Sequence, residues 1–213
     1  MSGDTQAIAP AETDEGRAEI LSAAAELFME LGYAATTLDA VADRLGGTKG
    51  RIYYRYDSKA ELYFDVQKSA MDSLMQAVVP LATGPEGPAE RLFKMAARHT
   101  EILFKELPLQ KVAMQGVERH LIASSGPRHL RSLRELIRLR DDYEQIFAEV
   151  IDEGIRMRLF VDLPPRLATK PFFGTLNWAT VWYTPKQSQS RESIDEVVRR
   201  LAGFAVRGLM ETN

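Results

Sequence analysis

The sequence predicts an all-α protein. Apolar residues recur at spacings of three and four through most of the chain, and no stretch alternates apolar and polar residues as a half-buried strand does. Short runs of glycine, proline and serine, such as Thr83-Gly84-Pro85-Glu86-Gly87-Pro88, separate these segments. A third observation is local. Between Thr37 and Lys59 two short helical patterns flank Gly46-Gly47, and the second is dense in basic and aromatic side chains.

The elements follow in order. Residues 1–13 are small and polar with one proline and read as a disordered arm; no apolar core follows a basic start, so the segment is not a signal peptide. Ile20, Ala24, Leu27, Phe28 and Leu31 predict a helix from about Arg17 to Leu31, ending before Gly32. Leu38, Val41, Ala42 and Leu45 give the next helix one apolar face, with Thr37 placed to accept a hydrogen bond from a free amide of its first turn. Gly46-Gly47 supplies the backbone freedom for a sharp reversal. Thr48 can cap a second short helix carrying Lys49, Arg51, Tyr53, Tyr54, Arg55 and Tyr56. Ser58-Lys59-Ala60-Glu61 is a capping box that starts a longer helix through about Val78.

Further helices are predicted over about Ala89 to Lys105, Leu109 to Ile122, and Arg128 to Arg156. The boundaries are Pro108 and the break Ser124-Ser125-Gly126-Pro127. Near the C-terminus Phe173 to Pro185, with Trp178 and Trp182, precedes a helix bearing Ile194, Val197, Val198, Leu201, Phe204, Ala205 and Leu209. Two adjacent helices with broad apolar stripes need partners to bury them.

Charge is informative only when counted locally. The whole chain carries a formal charge of -3, so it is no generic polyanion binder. From Glu12 to Asp43 eight acids face one base, Arg17, whereas from Arg44 to Lys59 five bases face one acid, Asp57. The basic footprint is confined to the turn, the second short helix and the start of the next. A charge run is often only a solvated face, but the hydroxyls of Tyr53, Tyr54, Tyr56 and Tyr63 nearby suit phosphate contact.

This pattern is the sequence form of a helix-turn-helix whose second helix enters a DNA major groove. The run Thr36-Thr37-Leu38, Gly46-Gly47-Thr48-Lys49-Gly50, Ile52-Tyr53-Tyr54-Arg55-Tyr56 and Ser58-Lys59 resembles the N-terminal DNA-binding domain of the TetR family of bacterial transcriptional regulators. Two positions depart from the family pattern: Gly47 replaces an apolar turn residue, and Asp57 places an acid where proline is common. The resemblance implies DNA contacts by Thr37, Thr48, Lys49, Arg51, Tyr53, Tyr54 and Lys59. Thr37 would hold phosphate at a helix start, Thr48 and Lys49 would sit at the groove entrance, and Arg51 would read a guanine edge. Tyr53 and Tyr54 would pack on sugar and phosphate, and Lys59 would reach a phosphate. Tyr56, at the family's phenylalanine position, reads as core.

The implied fold is an N-terminal three-helix helix-turn-helix domain over residues 14–62, plus a C-terminal helical ligand-binding and dimerisation domain over residues 63–213. In the family the last two helices of two subunits pack as a four-helix bundle, which predicts a homodimer. The pattern Gly174-x-Leu176-Asn177-Trp178-x-x-x-Trp182-Tyr183-x-Pro185 resembles a branch whose members respond to acyl-coenzyme A thioesters. Trp178 and Trp182 read first as core or interface anchors and second as ligand contacts.

One charged residue falls inside an apolar pattern. Arg140 lies seven residues from both Leu133 and Phe147, on the stripe of Leu133, Leu136, Ile137, Phe147, Val150 and Ile151. A charge there must be paired or face a cavity. Glu144, four residues on, is the ordinary partner, and a bound anion is the alternative. Phe93, Phe104, Arg140, Phe147, Asn177 and Trp178 are therefore the candidate ligand-binding residues.

Other functions find little support. The chain has no cysteine, so there is no disulfide, thiol nucleophile or thiolate ligand. His99, His120 and His129 are scattered without acidic partners at metal-ligand spacing, and neither a phosphate-binding glycine loop nor a Gly-x-Ser-x-Gly turn occurs. No run of about 20 apolar residues could span a membrane. The expectation is a cytoplasmic, non-enzymatic, cofactor-free homodimeric regulator, in first place a repressor. It would bind double-stranded operator DNA and leave it on binding a small lipophilic effector such as an acyl-coenzyme A. The alternatives are a multidrug or aromatic-compound sensor of the same family, and a helical small-molecule-binding or enzymatic protein that does not bind DNA.

Overall fold

The computed structural model describes residues 14–47, 49–115, 127–185 and 188–211. Among these residues the chain forms helices α1 (Asp14–Ala35), α2 (Leu38–Arg44), α3 (Lys49–Arg55), α4 (Lys59–Ala82), α5 (Pro88–Lys105) and α6 (Leu107–Met114). These are followed by α7 (Pro127–Arg156), α8 (Pro165–Asn177), the single turn α9 (Ala179–Trp182) and α10 (Arg191–Arg207). An isolated antiparallel bridge between Phe160 and Met210 is the one β feature among them. The predicted arm over residues 1–13, Thr48, His120 and the break at Ser124 to Gly126 lie outside the described residues.

Local chemistry explains most boundaries. Gly32 has φ +77°, which breaks α1 where the sequence predicts its end; the three residues after it resume a helical turn. Thr37 caps α2, its hydroxyl accepting from the Ala40 amide at 3.0 Å, an arrangement worth about 1 kcal/mol. Gly46, at φ +60°, makes the reversal between α2 and α3. Ser58 caps α4 through the Glu61 amide, while the Glu61 carboxylate accepts from the Asp57 amide.

The helices differ from expectation mainly at their ends. α4 runs to Ala82 with Pro80 inside its last turn, past the predicted stop at Val78. It also crosses positions 62 and 63 without a break, so one rigid element joins the N-terminal helices to the rest. α6 starts at Leu107 and accepts Pro108 in its first turn, where a missing N–H costs nothing.

The N-terminal helices pack around Ile20, Leu27, Phe28, Val41, Ile52 and Tyr63. α4 packs against α1, α5, α6 and α7, and α10 lies across α5 and α8. On α7 the buried stripe is Leu133, Leu136, Tyr143, Phe147, Val150 and Ile151. Ile137, assigned to it from the sequence, is 47% exposed. It follows Leu136 directly, and one residue is about 100° of rotation, enough to leave a narrow face.

A candidate DNA-binding face and a cavity

The face formed by α2 and α3 is more evenly charged than the sequence count implies, because the acids of α1 and α2 hold its bases. Arg44 pairs with Glu26 and Glu30 on α1. Lys49 donates to Asp39 at 2.8 Å, and the Tyr53 hydroxyl donates to the other oxygen of the same carboxylate at 3.0 Å. These two donors hold the Asp39 carboxyl below its usual range. Arg51 donates to Glu19 at 2.7 Å and to the Gly16 carbonyl at 3.2 Å, both on α1.

The predicted contact residues therefore fall into groups. Thr37, Lys49, Tyr53 and Tyr54 are exposed, Tyr54 most of all at 86%. Arg51 is turned toward α1. Lys59 is half-buried, and its ammonium donates to the Tyr33 and Ala34 carbonyls at 2.7 and 2.9 Å while lying 4.6 Å from the Tyr33 ring centre. It closes the C-terminal end of α1, and burial lowers its pKa from the ordinary lysine value. Tyr56 is core, as the sequence suggests. It is 4% exposed, and its hydroxyl donates to Asp65 at 2.6 Å, the carboxylate that also receives Arg17.

Residues of α4, α5, α6, α7 and α8 line an open cavity of about 290 Å³. Its apolar lining is Met71, Leu74, Ala113, Met114 and Phe173, and its polar lining is His99, Arg140, Tyr143, Glu144 and Asn177. Arg140 donates through Nη2 to the Gln67 side-chain oxygen at 2.8 Å and to the Ala113 carbonyl at 2.7 Å. Glu144, its expected partner, accepts two bonds from Lys170 and one from Thr169. Gln67 is fully buried, and its Nε2 meets no acceptor among the described residues.

Of the six ligand residues expected from the sequence, Arg140 and Asn177 line this cavity. Phe147 lies behind the lining, 4.7 Å from Phe173 between ring centres. Phe104 belongs to a separate apolar cluster, stacked on Tyr183 at 3.8 Å. Phe93 approaches Gly203 of α10, and Trp178 is 63% exposed. Together with Val181, Trp182 and Phe204, at 60%, 48% and 64%, Trp178 leaves large apolar groups on the α9–α10 side in water.

Sequence reasoning gave no ligand role to His99, nor to Tyr143, Met71, Leu74, Ala113, Met114 and Phe173, which line the cavity with it. His99 is buried between the Tyr143 hydroxyl, 2.8 Å from Nδ1, and Asn177 Oδ1, 2.9 Å from Nε2. Burial pushes its pKa down to about 4, so the imidazole is neutral at pH 7. A signal was present. His99 continues the α5 stripe of Leu92, Met95, Ala96 and Leu103, and a histidine at such a position needs polar partners from other helices.

Comparison with known proteins bears on both halves. The family described as bacterial regulatory proteins, tetR family, matches residues 20–66, and the one described as tetracyclin repressor-like, C-terminal domain, matches residues 85–209. The transcriptional repressor KstR2 of Mycobacterium tuberculosis strain H37Rv is 28% identical over 176 residues, 82% of this chain and 84% of that protein. The crystal structure of the TetR family regulator PfmR from Thermus thermophilus superposes with a TM-score of 0.74 at 27% identity, covering 90% of this chain and 99% of the other. AibR, crystallised in complex with isovaleryl coenzyme A and operator DNA, shares the fold: TM-score 0.71 at 19% identity, over 92% of this chain and 98% of that one. Among the described residues no helix is long and apolar enough to cross a membrane, and no group of three or more metal-ligating side chains occurs.

Proposed function

Since the chain belongs to the TetR family of DNA-binding transcriptional regulators, which are not enzymes, we propose that it is a homodimeric repressor released from its operator by a small lipophilic anion such as an acyl-coenzyme A. One observation carries the coupling. Met71 and Leu74 of the cavity wall belong to α4, which follows the reader helix after only three residues and whose first residue, Lys59, holds the end of α1. A ligand that displaces α4 moves α3 with it.

A second connection runs through α7. Arg128, at its N-terminal end, donates to Asp57 and Glu61 at the α3–α4 junction, while Arg140 and Tyr143 of the same helix line the cavity. Two subunits joined through the exposed Trp178, Val181, Trp182 and Phe204 would carry their reader helices at a fixed separation. Operator half-sites lie about 34–36 Å apart, or multiples of that, so a small change in separation weakens contacts on both sides.

The anionic preference rests on Arg140 in the wall, and the lipophilic one on Met71, Leu74, Met114 and Phe173. The cavity volume suits an acyl chain, with the nucleotide of a thioester left outside. That KstR2 is a repressor supports the sign of regulation, and that AibR was crystallised with isovaleryl coenzyme A supports this class of effector. Within the motif we assign phosphate contacts to Thr37 and Lys59, the groove entrance to Thr48 and Lys49, sugar and phosphate packing to Tyr53 and Tyr54, and base reading to Arg51 once it leaves Glu19. Release requires tighter ligand binding to the DNA-incompetent state. Titrating acyl-coenzyme A esters of increasing chain length against the protein–operator complex tests this. The expected result is release by one range of chain lengths; release only by neutral or cationic hydrophobic compounds would instead make it a drug-type sensor.

A further inference from the structure

We infer that this cavity selects its effector by a hydroxyl group: the chain of hydrogen bonds through Tyr143, His99 and Asn177 turns an acceptor, the Tyr143 oxygen, toward an acyl chain bearing a hydroxyl near its carboxyl end. The inference rests on the effector reading above and adds to it the chemistry of the ligand.

The direction of the chain follows from its members. Asn177 meets His99 Nε2 with its carbonyl oxygen, which can only accept, so Nε2 carries the proton. A neutral imidazole then has an unprotonated Nδ1, and at 2.8 Å this nitrogen accepts the Tyr143 hydroxyl proton. The low pKa of His99 agrees with a neutral ring. With its proton so directed, Tyr143 can offer a ligand only its oxygen lone pair. A ligand hydroxyl can donate to that oxygen, whereas a ketone or a bare methylene cannot.

Position along the ligand follows from α7. Arg140 and Tyr143 are three residues apart, which places their Cβ atoms roughly 5–6 Å apart on one helix face. Both line the cavity, so with an anionic or thioester end near Arg140 we place the carbons next to that end beside Tyr143. The volume of about 290 Å³ admits an acyl chain of medium length. Met71, Leu74 and Phe173 supply its apolar surroundings.

Calorimetric titration of the full chain with octanoate, 3-hydroxyoctanoate and 3-oxooctanoate, each as the free acid and as the coenzyme A ester, tests the inference. The 3-hydroxy compound should bind about 3- to 10-fold tighter than its two counterparts, as one added hydrogen bond allows. The arm with the tighter binding identifies free acid or thioester as the source. Tyr143→Phe should keep octanoate affinity and lose the hydroxyl preference. Equal affinity for the three compounds, preference for the 3-oxo form, no binding in either arm, or a preference that survives Tyr143→Phe would each overturn it. The series on the unaltered protein decides the matter even where the variant does not fold. Operator release by octanoyl-coenzyme A without hydroxyl preference would overturn this inference and leave the effector reading standing; hydroxyl-selective binding without release would do the reverse.

Discussion

Arg51 on α3 and Glu19 on α1 share a 2.7 Å hydrogen bond, which turns toward α1 the one side chain of the reader helix best suited to a guanine edge. Lys49 and Tyr53 are likewise held by Asp39. The acids of α1 and α2 thus compete with DNA for the same donors. Binding must exchange these exposed, solvent-screened pairs for phosphate and base contacts.

Removing the competitor should therefore help. Glu19→Gln is expected to tighten operator binding at low salt. Arg51→Ala should weaken it by ~1–3 kcal/mol and relax preference at one base position per half-site. Gel shifts with single-base operator variants check both. If Arg51→Ala weakens every operator equally, its role is to fix α3 on α1 and not to read a base.

Lys59 joins two helices, and its replacement should register in the free protein. Lys59→Ala removes two charge-assisted bonds to the Tyr33 and Ala34 carbonyls and should cost about 1–3 kcal/mol in urea unfolding. An ammonium has three N–H donors and two are used here, so a phosphate contact is compatible with this geometry. The variant should also bind all sequences more weakly and with a flatter salt dependence. Unchanged stability would mean that the carbonyl contacts contribute nothing.

Assembly can be separated from folding by the choice of residue. Leu201 packs partly into the core, whereas Phe204 is 64% exposed. Phe204→Glu should leave the subunit folded and place a charge in the seam that the apolar α9–α10 side would form. Sedimentation should then show monomers with little affinity for a two-half-site operator. A dimer persisting in this variant would locate the interface elsewhere.

The helix-turn-helix and its caps were legible because their signals are local: Thr37, Gly46 and Ser58 each act within four residues. The cavity was not. Its lining comes from α4, α5, α6, α7 and α8, and periodicity tells which face of a helix is inward but not where inward faces fail to meet. Arg140 betrayed itself as a charge on an apolar stripe. Phe93, Phe104 and Phe147 look equally inward in sequence, yet they fill contacts with α10, Tyr183 and Phe173 instead. The pairing of the basic run was not legible either, since the partners of Arg44, Lys49 and Arg51 lie on α1 and α2, between ten and thirty-two residues earlier.

His99 makes a prediction about pH. Its pKa is about 4 in the folded protein, against an ordinary value near 6.5, so between these values the unfolded chain holds a proton that the folded one does not. Its stabilisation is complete above about pH 6.5, declines as pH falls toward 4, and does not decline further below that. At pH 5 the loss relative to pH 7 should be about 2 kcal/mol. His99→Gln keeps an amide able to hydrogen-bond and removes the titration. The variant should be less stable at pH 7, yet lose about 2 kcal/mol less than the parent between pH 7 and pH 5 in urea unfolding. Parallel losses in the two proteins would mean that the buried imidazole is solvated well enough to titrate normally.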